Sequence, residues 1–94
     1  MSNRLAFAHL LETITDMEKD VGLDGFSANE RQVYAAVVLL SNDTENPVPI
    51  QDIRTHCLVR DIPMPTVYRS FNHLINGKMI SHVGGERSGL YTIV

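Results

Sequence analysis

A single cysteine, Cys57, stands among the 94 residues, so no disulfide can close within them, and this fits a reducing compartment. Long apolar runs are missing as well. The richest, Tyr34 to Leu40, falls far short of the roughly 20 residues that span a bilayer. The stretch from Met1 through Met17 has no basic start leading into an uninterrupted apolar block and no small-residue cleavage site. It does not read as a signal peptide, and a cytoplasmic location is expected. No internal repeat or low-complexity segment occurs. No Gly-x-Ser-x-Gly, P-loop or dinucleotide fingerprint occurs either. His9, His56, His73 and His82 are scattered without ligand spacing, and no second cysteine joins Cys57, so neither a metal site nor a cofactor is expected. His56 adjoins Cys57, but successive helical residues point about 100° apart. An inert, inward-facing thiol is therefore expected, and no enzyme.

A basic excess is also lacking, since the formal net charge is −3. Taken alone, this argues against a polyanionic partner. The distribution is uneven, however. Met1 to Asn46 hold eight acidic and three basic residues, whereas Pro47 to Val94 hold three acidic (Asp52, Asp61, Glu86) and five basic (Arg54, Arg60, Arg69, Lys78, Arg87). The basic character belongs to the second half. With 44% hydrophobic and 20% charged residues, the composition is that of a folded globule, and the length suits one core.

Hydrophobic period and punctuation predict a mainly helical α+β chain with a hairpin at its C-terminal end. From Leu5 to about Lys19, Phe7, Leu10, Leu11, Ile14 and Met17 recur at three- and four-residue steps. Gly22 and Gly25 close this segment. Residues 1–25 are thus expected to form an amphipathic helix that packs on the rest of the chain or meets a second copy. Residues 26–94 form the domain proper. Ser27-Ala-Asn-Glu30 is a capping box that starts a second helix, with Val33, Tyr34, Val37, Val38 and Leu40 facing inward. The polar Asn42 to Pro47 reads as a loop, and Val48-Pro-Ile50 as a brief edge strand. Gln51 to about Val59 predicts a short helix with Ile53, Cys57 and Leu58 inward and Arg54 outward. A longer helix follows from about Met64 to Asn76-Gly77, with Pro65 in its first turn. It places Val67, Phe71 and Leu74 on one face and Pro65, Thr66, Tyr68, Arg69, Asn72 and His73 on the other. Met79 to Val83 and Leu90 to Val94 are β-rich runs flanking the glycine-framed tip Gly84 to Gly89.

From Ser27 to Val94 the order is helix, short extended segment, helix, turn, helix, hairpin, and it resembles a winged helix-turn-helix. Thr66-Val-Tyr-Arg69, with Phe71, Leu74 and Gly77-Lys-Met-Ile80 after it, is similar to the recognition helix and wing start of bacterial winged-helix repressors. The Thr-Val-Tyr-Arg string resembles the DNA-binding domain of ferric uptake regulators, and the layout is similar to the multiple-antibiotic-resistance regulators. The resemblance implies a three-helix core with a wing, and double-stranded DNA as partner. It further implies transcription regulation, a homodimer on two half-sites, and DNA contacts from Pro65, Thr66, Tyr68, Arg69, Asn72 and His73 in the major groove. Arg87 and Ser88 at the tip would meet the backbone or the minor groove. Three features depart from the pattern. The turn from Arg60 to Met64 has a proline and no glycine. The metal-binding dimerisation domain of ferric uptake regulators has no counterpart in these residues, so no iron sensing is expected. Glu86 beside Arg87 leaves the tip poor in cations. The alternative reading is a winged-helix module that binds a protein partner without DNA.

Overall fold

The computed structural model describes residues 3–85 and 87–94; Met1, Ser2 and Glu86, the last counted above among the charges of the tip, lie outside them. The chain forms a mainly helical α+β structure with a small antiparallel sheet. Its order is α1 (Asn3–Asp20), α2 (Ala28–Ser41), β1 (Val48–Pro49), α3 (Ile50–Thr55), α4 (Met64–Asn76), β2 (Ile80–His82) and β3 (Leu90–Ile93). Among the described residues, no helix is long and apolar enough to cross a membrane.

Local chemistry accounts for most element ends. The Ser27 hydroxyl accepts the Glu30 N–H at 3.2 Å, and the Glu30 carboxylate accepts the Ser27 N–H at 2.9 Å, which satisfies two donors that the first turn of α2 leaves unpaired. At the far end Asn42 adopts the left-handed conformation, φ 59°, and Asp43 N–H reaches back to Val38 C=O at 2.9 Å. Pro49 and Pro63 precede α3 and α4, and their extended backbone launches each helix. Gly77 follows α4 with φ −80°, so no left-handed turn demands a glycine there. The reason is space: a Cβ at residue 77 would stand 2.6 Å from the Phe26 ring.

Among the described residues, eleven buried side chains form one core cluster. Val33, Ala36 and Val37 come from α2, Ile53 from α3, and Val67, Phe71 and Leu74 from α4; Val59, Val48, Ile80 and Tyr91 complete it from the turn and the sheet. The sheet order is β1-β3-β2, with β3 central, so Tyr91 pairs with Val48 on one side and with His82 on the other. β1 lies at the edge, where its proline needs no ladder donor. The Phe71 ring stacks face to face on Tyr91, with centroids 4.5 Å apart and planes at 5°, and His82 tilts against the other partner at 5.0 Å. This aromatic column joins α4 to the middle of the sheet.

Three expectations need correction. α3 ends at Thr55 and does not reach Val59, because His56 leaves the helix with ψ 143° and its ring Nδ1 accepts the Leu58 N–H at 3.1 Å. Cys57 is consequently exposed, and its Sγ lies 3.9 Å from His56 Nδ1; the expectation that these neighbours diverge holds only inside a helix. Leu40, expected inward, is 39% exposed, while Ala36, which was not expected in the core, is buried. α1 forms where expected but contributes no buried residue.

Truncating Phe71 to Ala removes the ring that links α4 to β3 and should destabilise the fold by about 3–5 kcal/mol, while Ser27→Ala should cost about 1 kcal/mol. Urea denaturation followed by circular dichroism measures both; equal losses would refute the rank order.

Candidate nucleic-acid interface

α4 is apolar on one side and polar on the other, and the fold sorts the two cleanly. Val67, Phe71 and Leu74 are buried, whereas Pro65, Tyr68, Arg69, Asn72 and His73 are exposed and Thr66 is half-buried. The six residues singled out on this helix therefore share one outward surface, from its first turn at Pro65 to its third at His73. Arg69 Nη2 donates to the Thr66 hydroxyl at 3.2 Å, which holds the guanidinium against the helix's first turns. The buried Ser70 hydroxyl is satisfied by Thr66 C=O at 2.8 Å, so it plays no part in the outer surface. Tyr68 is 48% exposed and tilts against Phe71 at 6.4 Å, so its ring borders the core and remains half open to solvent. Burial first, and then the nearby Tyr68, push the Tyr91 hydroxyl above its ordinary pKa.

His73 behaves differently from its neighbours. Its Nδ1 lies 2.6 Å from Glu30 Oε2, so the outer surface of α4 is tied to the capping box of α2. The Glu30 carboxyl is held below its ordinary pKa chiefly by the Ser27 backbone N–H; burial opposes this, and His73 adds to it by hydrogen bond and by charge. A contact from His73 to any ligand would compete with Glu30.

At the hairpin tip Arg87 and Ser88 are both exposed. The Ser88 hydroxyl is committed to the turn: it donates to Gly85 C=O at 2.9 Å and to Val83 C=O, and it accepts the Leu90 N–H at 3.2 Å. Gly84 and Gly85 take φ 77° and 101°, which few side chains tolerate. Ser88 thus shapes the tip, and Arg87 is its exposed cation.

The fold adds residues that the reading of the longer helix alone did not single out. An open groove between α3 and the start of α4 is lined by Gln51, Arg54, Thr55, Arg60 and Met64 among others. Arg54 and Arg60 are exposed there, and among the described residues neither they nor Arg69 takes part in an ion pair. The basic excess of the second half was the available signal; its gathering at one end of α4 depends on how α3 turns into α4. Among the described residues, no group of three His, Cys, Asp or Glu side chains could hold a metal ion.

No family model, curated protein or solved structure matches the chain.

The depressed folded-state pKa of Glu30 fixes the sign of a pH effect. The stability it contributes is complete above the ordinary carboxylate value of about 4.3 and is lost as pH falls through the lower folded value. Glu30→Gln keeps the shape of the cap and removes the charge, so its deficit in urea midpoint should be present in full at about pH 5 and shrink as pH falls below that. A deficit that grows as pH falls below about 5 would contradict the assignment.

Proposed function

We propose that this chain is a winged-helix DNA-binding protein that acts as a transcriptional regulator and works as a homodimer. The outer face of α4 enters the major groove, and the tip from 84 to 89 lies on the backbone or in the adjacent minor groove. The observation that carries the reading is the division of α4: a fully buried apolar stripe faces an outer surface of Thr66, Tyr68, Arg69, Asn72 and His73. An α-helix fits the major groove, and its N-terminal residues reach base edges. Arg69 supplies a fork for guanine or a phosphate, Thr66 and Tyr68 supply hydroxyls, and Asn72 suits an adenine edge. Arg54 and Arg60, which line a groove at the N-terminal end of α4, supply cations for the phosphates in this reading. Arg87 does the same at the tip. Of the eleven acidic residues, eight precede Pro47, and four of these lie in α1.

A second reading rests on the net charge of −3 and on Tyr68, a half-exposed ring that suits a protein partner as well as a base. In that reading the same face binds protein and no DNA. The two readings separate on salt. Neutralising several phosphates releases counterions, so affinity for duplex DNA falls steeply with ionic strength, and an apolar protein contact lacks that slope.

Selection of bound sequences from a pool of random duplexes, followed by titration over a salt series, tests the proposal. Enrichment of one motif is expected, and Arg69→Ala should weaken binding to it by about 10- to 100-fold. Arg54→Ala should weaken all sequences alike and flatten the salt slope by about one. A folded wild type that enriches nothing would support the protein-binding reading.

A further inference from the structure

α1 leaves its apolar side uncovered. Phe7 is 62% exposed, Leu10 57% and Met17 59%, Leu11 and Ile14 are less so at 47% and 39%, and Val21, just past the helix, is 52% exposed. The helix is tethered to α2 near its C-terminal end by the Glu18–Arg31 ion pair at 3.0 Å. On either side of that tether, α1 and α2 leave open grooves in which Leu11 and Ile14, or Met17 and Val21, face Ala35 without filling the space.

We propose that this surface is the interface with a second copy of the chain, and that the two α1 helices pair antiparallel, centred on residue 12. The inference refines the homodimer of the reading above. Spacing is the first argument. Phe7, Leu10, Ile14, Met17 and Val21 recur at three, four, three and four residues, the period of a helix seam that packs on another helix. In antiparallel pairs the two seam positions alternate across the interface. Centring on residue 12 sets Phe7 against the second copy's Met17 and Leu10 against its Ile14, twice each by the two-fold axis. All four layers lie inside the 18 residues of α1.

Charge supplies the second argument. Arg4 stands near one end of α1, whereas Asp16, Glu18 and Asp20 stand near the other. Antiparallel pairing sets the Arg4 end of one copy beside the acidic end, Asp16 and Asp20, of the second. Parallel pairing would align the acidic ends of both copies. Such exposed charges contribute little affinity, but they select orientation. Area is the third argument: covering the seam and Leu11 on both copies buries on the order of 1,000 Å² of apolar surface, which reaches what a specific interface requires.

Two measurements without DNA test the pairing, so their outcome is independent of whether α4 binds duplex. In sedimentation equilibrium the full chain should be a dimer at micromolar concentration, and Leu10→Glu should raise the dissociation constant at least about 100-fold, because it buries a carboxylate in a central layer. Since α1 lends nothing to the core, the circular dichroism of this variant should match the wild type. For orientation, Phe7→Cys and Met17→Cys are made separately in a Cys57→Ser background. Mixed under mild oxidation, they should cross-link to each other and neither to itself, because like positions stand about 15 Å apart in the antiparallel pair, beyond disulfide reach. A monomeric wild type, an unaltered dimer in Leu10→Glu, or self-cross-linking of either variant would overturn the proposal. A dimer that cross-links as expected yet binds no DNA would leave the pairing intact and refute the DNA reading.

Discussion

Phe71 lies flat on Tyr91, and the position of everything outward of that contact follows from it. Phe71 is central to the inner face of α4, and Tyr91 is the residue of β3 paired on both sides, to Val48 and to His82. One stack therefore sets the rotation of α4 about its own axis and its distance from the sheet. Because Val67 and Leu74 share the buried stripe, the rotation that seats Phe71 also turns Thr66, Arg69 and Asn72 outward. The hairpin tip hangs between β2 and β3, so its placement relative to α4 descends from the same contact.

A second constraint runs through Glu30. Its carboxylate closes the capping box of α2 with one oxygen and meets His73 of α4 with the other. The start of one helix and the outer surface of another are thus coupled through a single side chain. That coupling stabilises the interlocked pair, but it also removes His73 from the freely disposable residues of the candidate surface. Ser88 is committed in a comparable way, its hydroxyl spent on the turn that shapes the tip. Of the eight residues marked out as candidate DNA contacts, Arg69, Asn72, Tyr68 and Arg87 keep the most accessible functional groups.

The two ends of the molecule hold their apolar residues differently. From Val33 onward the large apolar side chains mostly meet one another across helices and sheet. In α1 they meet solvent, although they too recur at helical spacing. Helical period reports that a face is apolar; it carries no information on what covers that face. This is why a single chain accounts for the core and leaves the seam of α1 open.

Local rules made much of the architecture legible. The capping box located the start of α2, the prolines and Gly77 bracketed α4 at its observed ends, and the glycines at 84, 85 and 89 marked the hairpin tip. Apart from Gly77, whose reason is the distant Phe26 ring, each signal acts within a few residues, through hydrogen bonds or φ preferences, so sequence suffices to read it. The end of α3 was misread because the decisive contact, His56 Nδ1 to the Leu58 N–H, competes with helix continuation and leaves no periodic trace. Exposure of Cys57 followed from that one event. Tertiary structure alone decided that Arg54 and Arg60 gather beside the start of α4, that His73 is held by Glu30, and that α1 stays uncovered. The physical reason is that packing of the whole core sets them and no local preference does: His73 meets Glu30 across 43 residues of chain, the angle between α3 and α4 follows from how each seats its buried side chains, and the apolar side of α1 finds no buried place among the described residues.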